Sequence, residues 1–303
     1  MPKKLGGVIV PVITPFLEDF SLNLDQLAKF TDHLVSQGVN GIFALGTNGE
    51  FALLNREEKE KVIETVVKAV GSKVPVLAGV SDPSTRNAVE NAKAAERLGA
   101  DYVVATAPYY YRPQPKGIYE HFKTIADSSA LPLVIYNIPA NTVNDVSLPL
   151  LEKLAEHPNI VGLKFTTHDM PAYVDALIAL KSSKFSVMMG TDSLIYSALE
   201  FGSDGVVSGL ANAVPAECSA IYRAVSSGDH KSGLAEQTKI LPLAQAMFLG
   251  NFPAAVKEMV RLKGFKPGPV RPPLSQLSAE DAKSVLEAFR KVYPEGPLIA
   301  KQG

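Results

Sequence analysis

Short apolar runs rich in β-branched residues alternate with longer stretches of helical period from the start of the chain to about residue 210. Continuous apolar runs of this length are read as strands buried on both faces, as in parallel sheets. They fall at Gly7–Thr14, Gly41–Thr47, Val74–Val80, Tyr102–Pro108, Pro132–Pro139, Ile160–Phe165, Ser186–Thr191 and Gly205–Leu210. Pro11 lacks the N–H that a ladder needs, which predicts a bulge or an edge in the first strand. The segments between carry helix start and stop signals. Asn23 is a cap ahead of a helix stopped by Gly38, and Asn55-Arg56-Glu57-Glu58 has the capping-box pattern, with its helix running to about Gly71. Ser84-Thr85 opens a helix that ends at Gly99, and Ser147 opens one that ends near His157. Strands separated by helices at a spacing of about 30 residues predict a (β/α)8 barrel. A doubly wound open sheet would need a G-x-G-x-x-G turn after an early strand, and Gly46-Thr47-Asn48-Gly49-Glu50 lacks that spacing.

Four further helical stretches follow the eighth strand, at Pro215–Ser227, Lys231–Leu249, Phe252–Leu262 and Ala279–Val292. One closing helix would suffice, so a helical extension packed on the barrel is expected, with the Pro- and Gly-rich Gly264–Leu277 as its connecting loop. The division expected is a catalytic barrel over 1–225 and a helical region over 226–303.

One strand breaks the apolar rule. Lys164 stands inside Ile160-Val161-Gly162-Leu163-Lys164-Phe165, and lysine is almost never fully buried without a partner. Burial disfavours an ammonium, and a neutral amine attacks carbonyl carbon. The other reading is a lysine at a strand end, with its stem on the core and its head in solvent. The local sequence leaves both open.

The 303 residues are 46% hydrophobic and carry a net charge of −1, so there is ample core and no polycationic footprint for a nucleic acid. Cys218 is the single cysteine, which excludes an internal disulfide framework and a cysteine zinc cluster, and suits a small core residue. The apolar run after the start, Val8 to Ile13, is too short for a signal segment or a membrane span, so the expectation is a soluble, cytoplasmic protein.

In a barrel of this type the site lies at the carboxyl ends of the strands. Thr47, Asn48 and Glu50 follow the second strand there, and Tyr109, Tyr110, Tyr111 and Arg112 the fourth. Tyr136 and Asn137 end the fifth, Lys164 and Thr166 lie on or just past the sixth, Asp192 follows the seventh, and Ser208 and Asn212 come with the eighth. A lysine among phenols and hydroxyls suits imine chemistry, in which the amine attacks a ketone and a phenol moves protons.

These residues sit in Val12-Ile13-Thr14-Pro15-Phe16, Gly46-Thr47-Asn48-Gly49-Glu50, Pro108-Tyr109-Tyr110, Tyr136-Asn137-Ile138-Pro139 and Gly162-Leu163-Lys164. In that order and spacing, from about Val8 to Leu274, the chain resembles the dihydrodipicolinate synthase / N-acetylneuraminate lyase family of pyruvate-handling class I aldolases. The resemblance implies that Lys164 forms the Schiff base, that Tyr136 moves protons, and that Thr47 links Tyr136 to Tyr110 in a hydroxyl relay. It implies that the Gly46–Gly49 turn, with Thr47 and Asn48, holds the keto acid's carboxylate. Tyr110 would reach into a neighbouring subunit's site, with Tyr109 at the subunit contact, in a homo-oligomer (dimer or tetramer). No cofactor or metal is implied.

The chain also departs from the synthase pattern. Where the synthases place an arginine after Tyr-Asn-x-Pro, it reads Pro139-Ala140-Asn141-Thr142, and Asn48 replaces the second hydroxyl of Gly-Thr-Thr-Gly-Glu. Both changes look more like the aldolases of 2-keto-3-deoxy sugar acids and of 4-hydroxy-2-oxoglutarate. Lys164-Phe165-Thr166 is similar to the sialic acid lyases, whose Asp-Glu pair after strand seven is Asp192-Ser193 here.

Of the other groups, His33, His121, His157 and His230 are scattered away from the mouth, and His168 alone is near it, as a contact for a substrate tail rather than a metal ligand. Glu50 suits a structural place at a helix start, while Arg112 suits either a substrate tail or a structural contact. The Val206–Asn212 segment lacks a Gly-rich helix start for phosphate, which favours an unphosphorylated substrate. The expectation is therefore an aldolase that cleaves a 2-keto-3-deoxy sugar acid to pyruvate and an aldehyde. The expected substrate contacts are Thr47, Asn48, Tyr109, Asn141, Thr166, Thr167, Val207 and Ser208. Dihydrodipicolinate synthesis, sialic acid cleavage, 4-hydroxy-2-oxoglutarate cleavage and keto-acid dehydration are the alternatives on the same imine. A non-catalytic sugar-acid-binding protein on this barrel is the alternative from another class.

Overall fold

The computed structural model describes residues 4–296, and the outer ends of both expected regions, 1–3 and 297–303, lie outside them. The apolar runs form a closed barrel whose strands follow one another in sequence order and pair in parallel. The strands are β1 (Gly7–Pro11), β2 (Gly41–Ala44), β3 (Val76–Gly79), β4 (Tyr102–Thr106), β5 (Leu133–Asn137), β6 (Ile160–Phe165), β7 (Ser186–Met189) and β8 (Gly205–Val207). Several stop short of the apolar run that marks them. β2 ends at Ala44 because Leu45 takes a left-handed φ of 60°, and β8 gives way to a tight helical turn at Leu210–Asn212. A closed barrel has no edge, so Pro11 sits as the last residue of β1. There Val12 N–H takes the Phe43 carbonyl at 3.0 Å and Pro11 itself only accepts, from Asn212 Nδ2.

The caps fall where the sequence puts them. Asn55 and Glu58 make both bonds of the capping box, Asn23 accepts from Gln26 N–H, and Gly71 ends its helix in the left-handed region. Each satisfies backbone groups that a helix end leaves open.

Strand alternation divides the apolar residues into two cores. Val10, Ile42, Ala78, Val103, Ile135, Leu163 and Val187 face the surrounding helices, while Ile9, Phe43, Leu77, Val104, Val134, Tyr136, Met188 and Val207 fill the barrel. β6 keeps this alternation only by a break. Leu133 pairs with Ile160 but Val134 with Gly162, so Val161 has no partner on β5. Beyond that bulge Leu163 and Phe165 face the helices, and Lys164 turns inward opposite Tyr136.

Helices at Pro215–Ser226, His230–Ala246, Ala254–Leu262 and Ala279–Val292 follow β8. His230–Ala246 packs on Pro215–Ser226 and on Ala279–Val292, and Leu243, Met259, Val285 and Phe289 join the outer core. No helix among the described residues is long and apolar enough to cross a membrane.

Candidate active site

β6 delivers Lys164 to the barrel interior, where it is 4% exposed. Its ammonium lies 3.6 Å from the centroid of the Tyr136 ring and 5.6 Å from that of Phe43, a placement the π faces favour. Tyr136 is buried with its hydroxyl 3.4 Å from Thr47 Oγ1. Burial pushes the phenol up, but the Lys164 charge and the Thr47 hydrogen bond outweigh it and hold the phenol below the ordinary tyrosine range. A phenol of lowered pKa beside a buried amine is a proton acceptor within reach of whatever the amine attacks.

The Gly46–Glu50 turn supplies the next wall. Gly49 N–H bonds the Gly46 carbonyl at 3.0 Å, Glu50 N–H bonds that of Thr47 at 3.1 Å, and Thr14 Oγ1 donates to the Gly49 carbonyl at 2.7 Å. The N–H groups of Thr47 and Asn48 are not used in closing the turn. Asn48 is buried against Gly209, where a Cβ would lie 2.9 Å from its Nδ2. Across the mouth, Gly190 follows β7 with Thr166 and Lys164 packed onto its bare Cα. Asn48 Oδ1 and Thr166 Oγ1 are both buried without a hydrogen-bond partner. Buried polar atoms are nearly always paired, which sets these two apart from the wall around them.

Other expected residues are placed differently. Ser208 Oγ donates to Asp192 and accepts from Ala211 N–H, so its one proton is committed to the wall. Thr167 Oγ1 accepts from Asp169 N–H at the start of the next helix. Val207 is an apolar part of the barrel filling. Asn141 lies exposed on the turn Pro139–Thr142, and Arg112 is exposed as well. Tyr109 is half-buried, edge-on to Phe51, with its phenol pushed up to about 12 by burial and then by Asp82.

Of the relay Thr47–Tyr136–Tyr110, a single chain contains the first link only. Tyr110 is 82% exposed with a φ of 77°, its ring against that of Tyr111. Asn144 holds that loop, donating from Nδ2 to the carbonyls of Pro108 and Tyr111, both at 2.7 Å. Glu50 stands at the start of the short helical turn Phe51–Leu53, but its side chain caps no N–H there and is buried in an ion pair with Lys257. His168 is exposed, and no cluster of three or more His, Cys, Asp or Glu suited to a metal occurs among the described residues.

Asp192, expected at the mouth after the seventh strand, is buried there, and burial raises its carboxyl above the usual range although Ser208, Leu210 N–H and the Lys164 charge all pull it down. One contributor escapes a sequence reading. Gly190 makes room for the side chains of β6, and the only signal for it is a glycine just after a strand.

An amine held out of water at the mouth of a parallel barrel, with a phenol ready to take a proton beside it, is the equipment of Schiff-base carbon–carbon lyases, and the protein is one of these. The Dihydrodipicolinate synthetase family model matches residues 4–291, and the chain belongs to that family, the pyruvate-dependent class I aldolases. It is 39% identical to an uncharacterized DapA-like lyase of Halobacterium salinarum, over 95% of this chain and 93% of the relative. It is 37% identical to a 4-hydroxy-tetrahydrodipicolinate synthase of Methanosphaerula palustris, over 93% and 98%. Among solved structures, the dihydrodipicolinate synthase of Aquifex aeolicus superposes with a TM-score of 0.93 at 33% identity, over 97% of this chain and 100% of its own. A prophage protein of the same family from Escherichia coli, solved in complex with pyruvate, gives 0.92 at 30% identity, over 95% and 98%.

Proposed function

We propose that the protein cleaves a 2-keto-3-deoxy sugar acid to pyruvate and a polyhydroxy aldehyde, reversibly, through an imine at Lys164. The observation that carries this reading is the buried Lys164 ammonium 3.6 Å from the Tyr136 ring, with Thr47 behind the phenol. The Lys164 amine adds to the C2 carbonyl and water leaves, giving the iminium. Tyr136 takes the proton of the C4 hydroxyl, the C3–C4 bond breaks, and the aldehyde departs. The electron pair passes to C3 and into the iminium as an enamine. Protonation at C3 and hydrolysis release pyruvate and restore the amine. The N–H groups of Thr47 and Asn48 receive the keto acid's carboxylate, and the orphan Asn48 Oδ1 and Thr166 Oγ1 meet hydroxyls of the substrate.

The choice of aldehyde rests on charge. Aspartate semialdehyde carries a carboxylate, and leaving it unpaired in such a site costs several kcal/mol, roughly 2–5 when one partner of a buried pair is missing. Asn141, on the turn after β5, offers hydroxyl-compatible groups and no charge. The second reading, condensation of pyruvate with the semialdehyde, is favoured by the name of the Methanosphaerula relative and would need another cation, Arg112 being the nearest in sequence to the mouth tyrosines. Values of kcat/KM for glyceraldehyde and for aspartate semialdehyde at fixed pyruvate separate the two. A clear preference for the semialdehyde would overturn the sugar-acid assignment. Borohydride with pyruvate should leave a lasting mass gain on Lys164, and an unmodified lysine would remove the imine.

The exposed, left-handed Tyr110 supports a homo-oligomer in which this residue completes a neighbour's relay. Light scattering that finds an active monomer at assay concentration would refute it.

A further inference from the structure

We infer that Glu50, Lys257 and Arg271 form a latch through which the C-terminal region sets the shape of the Gly46–Glu50 turn, and with it the affinity for the keto acid. The inference rests on the reading in which that turn receives the keto acid's carboxylate.

The turn does not hold its shape by itself. Its last residue, Glu50, is in the left-handed region at φ 54°, ψ 34°, where a side chain persists only if its surroundings fix it. Those surroundings come from the far end of the chain. Lys257, on the helix Ala254–Leu262, reaches Glu50 Oε1 at 2.6 Å, with side-chain exposures of 4% and 0%. Its ammonium also donates to the Pro269 carbonyl at 2.7 Å and lies 4.3 Å from the Phe16 ring centroid. Arg271 N–H donates to Glu50 Oε2 at 2.8 Å. The Arg271 guanidinium stacks 4.4 Å from the same Phe16 ring, donates to the carbonyls of Leu53 and Phe20, and forks onto Glu58 at 2.8 Å on each arm. The Lys257 ammonium and the Arg271 backbone N–H thus grip the one carboxylate of the turn, while the Arg271 guanidinium holds Glu58 and the backbone of Leu53 beyond it.

A buried ion pair is weak ground for stability, because desolvation offsets the attraction, and its best-attested use is to fix one conformation over others. Here the conformation fixed is the turn that brings Thr47 Oγ1 to the Tyr136 hydroxyl and Asn48 against Gly209. None of the latch residues reaches the reacting atoms; they are positioning residues. Lys164 and Tyr136 are held by the sheet and lie outside their grip.

The latch therefore acts first on affinity, and on the chemical step only through the Thr47 bond to Tyr136. The test measures the pyruvate concentration that gives half-maximal borohydride trapping, beside kcat at saturating substrate. Lys257→Met should raise the half-trapping concentration about 10-fold or more, since losing a hydrogen bond to a carboxylate costs on the order of 10- to 100-fold in affinity, with a smaller fall in kcat. Lys257→Met strands a buried carboxylate, so the double variant Glu50→Gln/Lys257→Met, which removes both charges at similar volume, guards against misfolding. It should fold and still bind pyruvate about 10-fold more weakly, again by a weakened hydrogen bond to the carboxylate. Arg271→Lys, which keeps the charge and the backbone bond to Glu50 but loses the fork, should fall between it and the wild type. A folded double variant with the wild-type half-trapping concentration overturns the latch, and so does one in which kcat falls while that concentration stays put. Wild-type protein that pyruvate and borohydride leave unmodified overturns the imine reading beneath it, and the latch with it.

Discussion

Gly190→Ala tests whether the room left after β7 is needed for catalysis. A Cβ there would lie 2.1 Å from Thr166 Oγ1, 3.1 Å from Thr166 Cβ and 3.1 Å from Lys164 Cε. Non-bonded carbon atoms settle at about 3.5–4.0 Å, so both carbons must retreat by several tenths of an ångström. Thr166 can swing its hydroxyl away without losing a hydrogen bond, since that oxygen has no partner. Its Cβ has no such escape, because Thr166 is tied one residue past β6 by its N–H to the Asn137 carbonyl at 3.0 Å, and Lys164 can yield only by moving Cε, next to the reacting nitrogen. Overpacking of this kind costs roughly 1–3 kcal/mol of stability, which a large barrel survives. A reacting amine displaced by as much as 1 Å loses on the order of 100-fold in rate. The expected result is a folded protein whose kcat/KM for retro-aldol cleavage is down about 10- to 100-fold by that displacement, with slower trapping of pyruvate. Gly71→Ala is the control. It forces a side chain into φ 56° at a helix end far from the mouth, and should cost about 1 kcal/mol of stability with kcat/KM unchanged. Wild-type kcat/KM in Gly190→Ala would show that the glycine is not what places Lys164.

Tyr136→Phe should still trap pyruvate while the cleavage rate falls on the order of 10²- to 10⁴-fold, and a near-native rate would take the phenol out of the mechanism. Val143 is 48% exposed with a φ of 55°, which a β-branched residue adopts only under strain; Val143→Gly should raise stability by about 1 kcal/mol, read as a higher denaturation midpoint. His121 is buried against Thr85, and burial lowers its imidazole from 6.5 to about 4 although Asp82 and Thr106 oppose the shift. Above pH 6.5 the ring is neutral folded or unfolded; as the pH falls toward 4 only the unfolded chain takes the proton, so stability drops by on the order of 3 kcal/mol across that window. His121→Gln should flatten the stability profile between those limits, and an unchanged slope would assign the loss to other groups.

The strands were legible because each is buried on both faces and so shows as an unbroken apolar run. Their ends were not: Leu45 leaves β2 through a left-handed φ that nothing in Leu-Gly-Thr announces. Lys164 and Tyr136 could be read because a charge and a phenol inside apolar runs have few bland explanations. For Ser208 a sequence does not say that its proton goes to Asp192. The hold of Arg271 on Glu50 spans 221 positions, beyond the reach of any local pattern. Tyr110 cannot be completed from one chain, whichever way it is read.

The unpaired Val161 gives β6 a property of its own. Side chains along a strand have a phase, inward or outward, and an odd insertion reverses it for every residue that follows. Ile160 and Leu163 both face the helices although three positions separate them, so the reversal happens between them. A regular ladder over the same residues, with Val161 set opposite Val134, would present Leu163 to the barrel interior and turn Lys164 into the helix layer. The bulge works as a phase corrector: it sets one residue aside and hands the amine on facing Tyr136. Loss of Val161 would be silent in side-chain direction, because the pairs from Leu133–Ile160 to Tyr136–Lys164 already skip it.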